Sequence, residues 1–219
     1  FRVDNLCIKN SLVNRQLIKS ASVVNTVIMK LSQKELQNIV KKCKRHDRLS
    51  QRKIYELFYV KMMSVCFRYA RDEDEAKDMV QDGFIKVFEK IDNYSFEGSF
   101  EGWMRRIIVN TAIDTYRKRK RELTQNEEIY KSKSREVNSH DDNQTSPYES
   151  ISIKDVIAAM QLLSPAYRTV FNLYIMEGMT HKEIANALNI SEGTSKSNLA
   201  KAKANVKKTL SEKLNMSYE

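Results

Sequence analysis

The chain has 219 residues and carries 38 Lys and Arg against 28 Asp and Glu, a formal net charge of +10. That surplus favours a polyanionic partner, nucleic acid or an anionic membrane surface, and five glycines and two prolines leave few helix breakers, so an all-α chain is expected. Cys7, Cys43 and Cys66 form no C-x-x-C pair, and His46, His140 and His181 stand at no ligand spacing to them, which argues against a zinc site and reads as reduced thiols in a cytosolic protein.

Residues 1–28 have little periodicity. The apolar stretch 21–31 is broken by Ser, Asn, Thr and Lys, and no run approaches transmembrane length. The chain begins at Phe1, and Met29 precedes a helix start. Met29 is therefore expected to be the natural initiator, with 1–28 an appended leader or a disordered arm. Ser32 with Glu35 three residues on is a capping box for a helix over 32–44, whose apolar positions are Leu36, Ile39, Val40 and Cys43. After the basic break 44–48, a helix is expected from Gln51 to Ala70, with Cys66 on its apolar face. Asp72 caps the next helix, whose stripe is Ala76, Met79, Val80, Phe84, Val87, Phe88 and Ile91. These two helices match in length and offset and are expected to pack antiparallel. The opposite face of the second carries Asp74, Asp78, Gln81, Asp82 and Lys86, an acidic stripe in a basic protein. It fits either a solvated face or a docking surface for a basic partner.

Residues 92–102 form a loop that also holds Tyr94, Phe96 and Phe100, with Trp103 directly after. A helix follows from about Gly102 to Arg121. Its segment 105–121 has seven basic residues against one acid, Asp114. Along one side, Trp103, Ile107, Asn110, Asp114 and Arg117 start apolar and turn polar. An aromatic loop before a basic helix suits single-stranded nucleic acid: rings stack unpaired bases and cations hold the backbone. A polar residue such as Asn110 can read the edge of an extruded base. Trp103 is expected in the core; Tyr94, Phe96 and Asn110 are the functional candidates.

Residues 122–150 lose hydrophobic period and read as a flexible linker. In the second domain, 151–219, Val156, Ile157, Met160, Leu162 and Leu163 mark a helix. Ser164 and Pro165 open the next, with Val170, Phe171, Tyr174 and Ile175 as its apolar face and Gly178 as its end. Thr180 and Glu183 form a second capping box, Asn189 suits a left-handed turn, and Ser191 caps a last helix with Leu199, Ala202 and Val206 inward. That is a helix-turn-helix with a basic second helix, suited to the major groove. Taken alone, the stretch fits an ordinary helical hairpin equally well.

The three features in this order resemble a bacterial sigma factor of the compact extracytoplasmic-function (ECF) group, which has only the second and fourth sigma regions. EAKDMVQDGFIKVFEKID (75–92) is similar to the family's core-binding helix, GWMRRIIVNTAIDTYRKRKR (102–121) to its promoter-melting helix, and residues 163–203 to its fourth region. The resemblance implies two small helical domains joined by a flexible linker: region 2 at 29–121 and region 4 at 151–219. It implies that Asp74, Asp78, Gln81, Asp82 and Lys86 dock on the beta-prime clamp helices of core RNA polymerase. Tyr94, Ser95, Phe96, Arg106, Asn110, Asp114, Arg117 and Lys118 would contact the minus-ten element. Ser191, Glu192, Thr194, Lys196, Ser197, Asn198, Lys201 and Lys203 would contact the minus-thirty-five element. The beta flap and an anti-sigma factor are further implied partners. No cofactor, metal or catalytic residue is implied, and the place of action is the cytoplasm.

The chain departs from the family pattern at four places. Ser195 stands where a buried Val is usual, Asn198, Lys201 and Lys203 where Arg or His is common, and Asn189 where a turn Gly is common. The loop has Ser95-Phe96 instead of a frequent Arg-Gly pair. A helix-turn-helix regulator that binds duplex DNA without polymerase is the alternative, and it has no use for the acidic stripe or the aromatic loop. A carboxylate nuclease is the enzyme alternative. Its acids at 72–75 and 141–142 fall at a cap and in the linker, and no phosphate loop or nucleophile–base pair accompanies them.

Overall fold

The computed structural model describes residues 32–126 and 153–216, and every regular element among them is helical. The elements are α1 (Gln33–Cys43), α2 (Arg48–Phe67), α3 (Glu73–Glu89), a 3-10 turn (Ile91–Asn93), α4 (Phe100–Asn126), α5 (Ile153–Gln161), α6 (Pro165–Phe171), a π turn (Asn172–Met176), α7 (His181–Leu188) and α8 (Glu192–Met216). The expected leader 1–28, and the linker beyond residue 126, lie outside the described residues. None of these helices is long and apolar enough to cross a membrane. α4 continues to Asn126, past the end of the apolar pattern, because the run from Arg117 to Leu123 consists almost wholly of strong helix formers.

The described residues form two compact units, one drawn from 32–66 and 77–109, the other from 67–76, 110–126 and 153–216. In the first, Ser32 caps α1 in a reciprocal box with Glu35, and Val40 and Cys43 are its buried face. The core of this unit adds Ile54, Phe58, Met62 and Cys66 from α2, Met79, Val80, Phe84 and Val87 from α3, and Met104 and Ile108 from α4. Tyr55 meets Phe84 at 4.8 Å. Gly83 is needed where α3 meets α4: a Cβ there would collide with the end of the buried Ile108 side chain. Burial, and to a lesser extent Asp47, pushes the Cys43 thiol up to about 12, so it is an inert core group at neutral pH.

The second unit is built around the carbonyl end of α2. A helix leaves its last four carbonyls without intrahelical partners, and here side chains from α5, α6 and the π turn cover that end. Gln161 Nε2 donates to Phe67 O, Asn172 Nδ2 to Arg68 O at 2.8 Å, and Arg168 Nη1 to Ala70 O. Arg168 is buried, and its guanidinium also donates to Gln161 O at 2.9 Å, Leu163 O at 3.1 Å and Gln161 Oε1 at 2.7 Å. A cation at a helix carbonyl end also suits the dipole. Arg68–Glu177 at 3.2 Å and Arg119–Glu75 at 3.1 Å, all four side chains mostly buried, flank this centre.

Three apolar positions differ from the sequence expectation. Leu162 follows the end of α5 and is 75% exposed, because the helix stops one residue before it. Tyr174 and Ile175 are exposed because the helix widens into a π turn, with Glu177 N bonding to Asn172 O, and the extra residue rotates the face outward. Replacing Arg168 by Met leaves three buried carbonyls short of a donor and is expected to cost ~2–4 kcal/mol. Urea unfolding of the full chain will show it as a lower midpoint, with Arg168→Lys recovering part of the loss.

Candidate nucleic-acid interface

The loop before α4 is built on a cluster of aromatic rings. Phe100 packs edge-on against Phe58 at 5.8 Å and stacks on Trp103 at 5.7 Å, so it anchors the start of α4 to α2. Tyr94 joins this cluster, 5.2 Å from Phe100 and 5.4 Å from Trp103, and is 5% exposed. Its hydroxyl donates to Gly98 O at 2.9 Å and closes the loop, and burial raises its pKa. Tyr94 thus shapes the loop from inside. Phe96 is the ring left half-exposed, 5.1 Å from Tyr94, flanked by the exposed Ser95, Glu97, Gly98 and Ser99. Phe96 has φ +65°, a left-handed backbone that costs a non-glycine residue ~1–2 kcal/mol. Strain of this kind gathers at functional sites. Trp103, expected in the core, is half-buried.

On α4, Arg106, Asn110, Asp114 and Lys118 recur every four residues and are all exposed, so they form one polar face. Arg117 is half-buried, 3.8 Å from Asp114, and donates to Asn186 O at 3.4 Å. Arg119 in the same basic run is held by Glu75 and is not part of an open face.

The acidic face of α3 is present: Asp74, Asp78 and Asp82 are exposed, and Gln81 and Lys86 half-buried. Toward the C-terminal end of this face lies Ile85, 38% exposed, which the sequence reading missed. Its signal was its position, off the apolar stripe of α3 and one turn on from Gln81 and Asp82. An exposed apolar residue beside charged ones is how a protein–protein contact is built.

The helix-turn-helix follows its expected local chemistry. Thr180 and Glu183 cap α7 reciprocally, and hydrogen bonds from the Thr180 backbone, then its hydroxyl, hold the Glu183 carboxyl below its usual range. Asn189 turns the chain at φ 52°, ψ 58°. Ser191 caps α8 through Thr194 N at 2.9 Å, and its hydroxyl meets the Thr194 hydroxyl at 2.8 Å. Ser195 is fully buried, and its Oγ lies 2.9 Å from His181 Nδ1, so a hydrogen bond joins α7 to α8 where an apolar contact is usual. His181 stacks on Tyr174 at 4.7 Å, and Lys203 Nζ stands 5.9 Å from the same ring.

On α8, Glu192, Lys196, Ser197, Lys201 and Lys203 are exposed and Asn198 half-buried. Sequence reasoning passed over the exposed Gly193, Ala200 and Ala204. With Ser197 they form a low stripe along α8, with Lys196, Lys203 and Lys207 on one side and Lys201 and Lys208 on the other. Small residues let a helix approach base edges closely, and an alanine methyl suits a thymine methyl. The lysine rows suit the phosphates on each wall. No group of three or more His, Cys, Asp or Glu among the described residues could hold a metal ion.

Two family models match the chain: sigma-70 region 2 over residues 54–122 and sigma-70 region 4 over residues 153–206. The ECF RNA polymerase sigma factor SigE of Mycolicibacterium smegmatis is 32% identical over 136 residues, which are 62% of this chain and 51% of that protein. The chain thus spans about half the length of that relative. The ECF RNA polymerase sigma factor SigW of Bacillus subtilis is 25% identical over 78% of this chain and 94% of its own length, and SigM of the same organism 27% over 70% and 91%. The chain belongs to the sigma-70 family of RNA polymerase sigma factors, in its extracytoplasmic-function group.

The left-handed turn makes a local prediction. Asn189→Gly is expected to leave stability and duplex binding near wild type. Asn189→Val forces a β-branched residue into left-handed backbone, costs ~1–2 kcal/mol, and weakens duplex binding. Thermal unfolding and fluorescence anisotropy on one promoter fragment measure both.

Proposed function

We propose that this sigma factor works through three separate surfaces. The α3 face that carries Ile85 docks on the clamp helices of core polymerase. The α8 stripe reads the minus-thirty-five element in the major groove. The loop around Phe96, with the polar face of α4, holds a base extruded from the minus-ten element. Residues 29–121 then act as region 2, 151–219 as region 4, and the expected linker, from the end of α4 at Asn126 onward, as the tether that spans the promoter. The beta flap of core polymerase and an anti-sigma factor are partners of the same reading, and its place of action is the cytoplasm. Catalysis belongs to the polymerase.

The observation that carries this reading is the exposed Ile85 within an acidic stripe, in a chain of net charge +10. Phosphate repels such a face, so a chain that only binds DNA gains nothing from it, whereas a basic protein partner does. The energies are compatible with the loop's role. Extruding a base costs a few kcal/mol, and stacking on one ring returns ~1–3 kcal/mol. One Phe96 therefore offsets about one base, and sustained melting draws on polymerase and the cationic contacts.

Multi-round transcription with purified core polymerase on fragments of the source genome tests the reading. New transcripts with defined starts are expected only when the chain is added, and their upstream sequences give the promoter. No new starts, together with sequence-specific duplex binding by the chain alone, would assign it instead to helix-turn-helix regulators. Ile85→Asp is expected to lower affinity for core polymerase at least tenfold without changing duplex binding. Ala200→Glu is expected to do the reverse, abolishing minus-thirty-five recognition while core binding persists. Native gel shifts with core and with promoter duplex separate the two.

A further inference from the structure

The strained loop is held from outside by a residue that precedes the sigma-70 region 2 match, which starts at residue 54. Lys44 follows the last residue of α1. Its ammonium donates to Asp92 O at 3.0 Å and to Tyr94 O at 2.7 Å, two carbonyls at the root of the loop. The same ammonium stands 5.1 Å from the centre of the Phe96 ring, and Lys41 one turn earlier stands 5.7 Å from it. The base of this clamp is fixed. Val40 and Cys43 bury α1, and the chain turns sharply at His46, φ +59°, whose N–H bonds to Cys43 O at 2.9 Å. One cation thus fixes the backbone on the near side of the left-handed Phe96 and covers one side of its ring, a cation–π contact. Tyr94 is the ring on its inner side.

We infer that Lys44 is a positioning residue for strand capture: it holds the loop 92–98 in the shape that presents the free part of the Phe96 ring to an unpaired base. The inference rests on the reading of this loop as the minus-ten capture site. It differs from a direct phosphate contact, the ordinary role of a lysine near DNA. A phosphate contact adds to the salt dependence of binding and acts independently of Phe96. A positioning residue acts through Phe96 and leaves the salt slope alone.

The test uses holoenzyme assembled from core polymerase and the full chain. It measures affinity for a fluorescent single-stranded oligonucleotide carrying the non-template minus-ten sequence of the mapped promoter, across a salt series. Lys44→Met is expected to weaken binding about tenfold with an unchanged salt slope, Lys44→Arg to restore most of it, and Lys44→Met added to Phe96→Ala to cost less than twofold more. Where Lys44→Met does not fold, Lys44→Gln, which keeps a shorter stem with a donor amide, is read on the same assay and is expected to lose several-fold. A salt slope lower by about one, with losses that add to those of Phe96→Ala, would overturn the inference in favour of a phosphate contact. Unchanged binding in the Lys44 variants with a loss in Phe96→Ala would overturn it while leaving the loop reading standing. Unchanged binding in both would remove the loop reading itself.

Discussion

The packing of Phe100 between Phe58 and Trp103 decides what the first unit can do. It pins the first turn of α4 to α2 and so sets where the basic helix begins. It also gives Tyr94 a wall to lie against, which draws that ring inward and leaves Phe96 as the ring still open to solvent. The left-handed backbone at Phe96 follows. With Tyr94 buried at one end and α4 anchored at the other, few residues remain to turn the chain, and the turn falls at Phe96 and Gly98, both at positive φ. The strain at Phe96 is sustained by the aromatic packing on one side and the Lys44 clamp on the other.

The second unit answers a different problem with polar groups. The carbonyl end of α2 is covered by Gln161, Asn172 and Arg168 side chains, not by a glycine turn. A buried guanidinium is costly unless its donors are met. Here Nη1 and Nη2 meet four acceptors, three carbonyls and one amide oxygen, none of them a carboxylate, while the buried Nε has no hydrogen-bond partner. Burial, with Arg119 nearby, works against the charge, and Glu75 opposes that effect. Breaking this centre leaves unpaired carbonyls where they cannot reach water, so its geometry is specified more tightly than an apolar contact of equal size would be.

What was legible in the sequence was local. Capping boxes at Ser32 and Thr180, the left-handed Asn189 and the Ser191 cap are contacts within a few residues of chain, and their signature is spacing. The core stripe of α3 and the inward face of α8 were read correctly for the same reason. What was not legible depended on distant or non-periodic partners. Arg168 bonds to a carbonyl 98 residues away, and a carbonyl is the same in every residue, so it leaves no mark in sequence. The π turn at 172–176 rotated Tyr174 and Ile175 outward by inserting one residue into a helical count. Tyr94 and Phe96 were indistinguishable in a loop, because no period tells which ring points inward. Ile85 was hidden for the opposite reason: it is an apolar residue on the polar face, and a reading that follows stripes passes over it.

The arrangement of charge sorts the partners without further specificity. The lysine rows of α8 and the basic run of α4 attract phosphate at long range, with a salt dependence that grows with each contact. The acidic face of α3 is repelled by the same phosphate. A chain this basic approaching DNA therefore turns the α3 face away from it, and at physiological ionic strength the repulsion acts over a Debye length of about 8 Å. Electrostatics alone thus keeps this acidic face clear of nucleic acid. In the proposed docking, Ile85 would supply the contact energy that charge cannot, since exposed ion pairs are worth little and an apolar group buried at an interface centre is worth more.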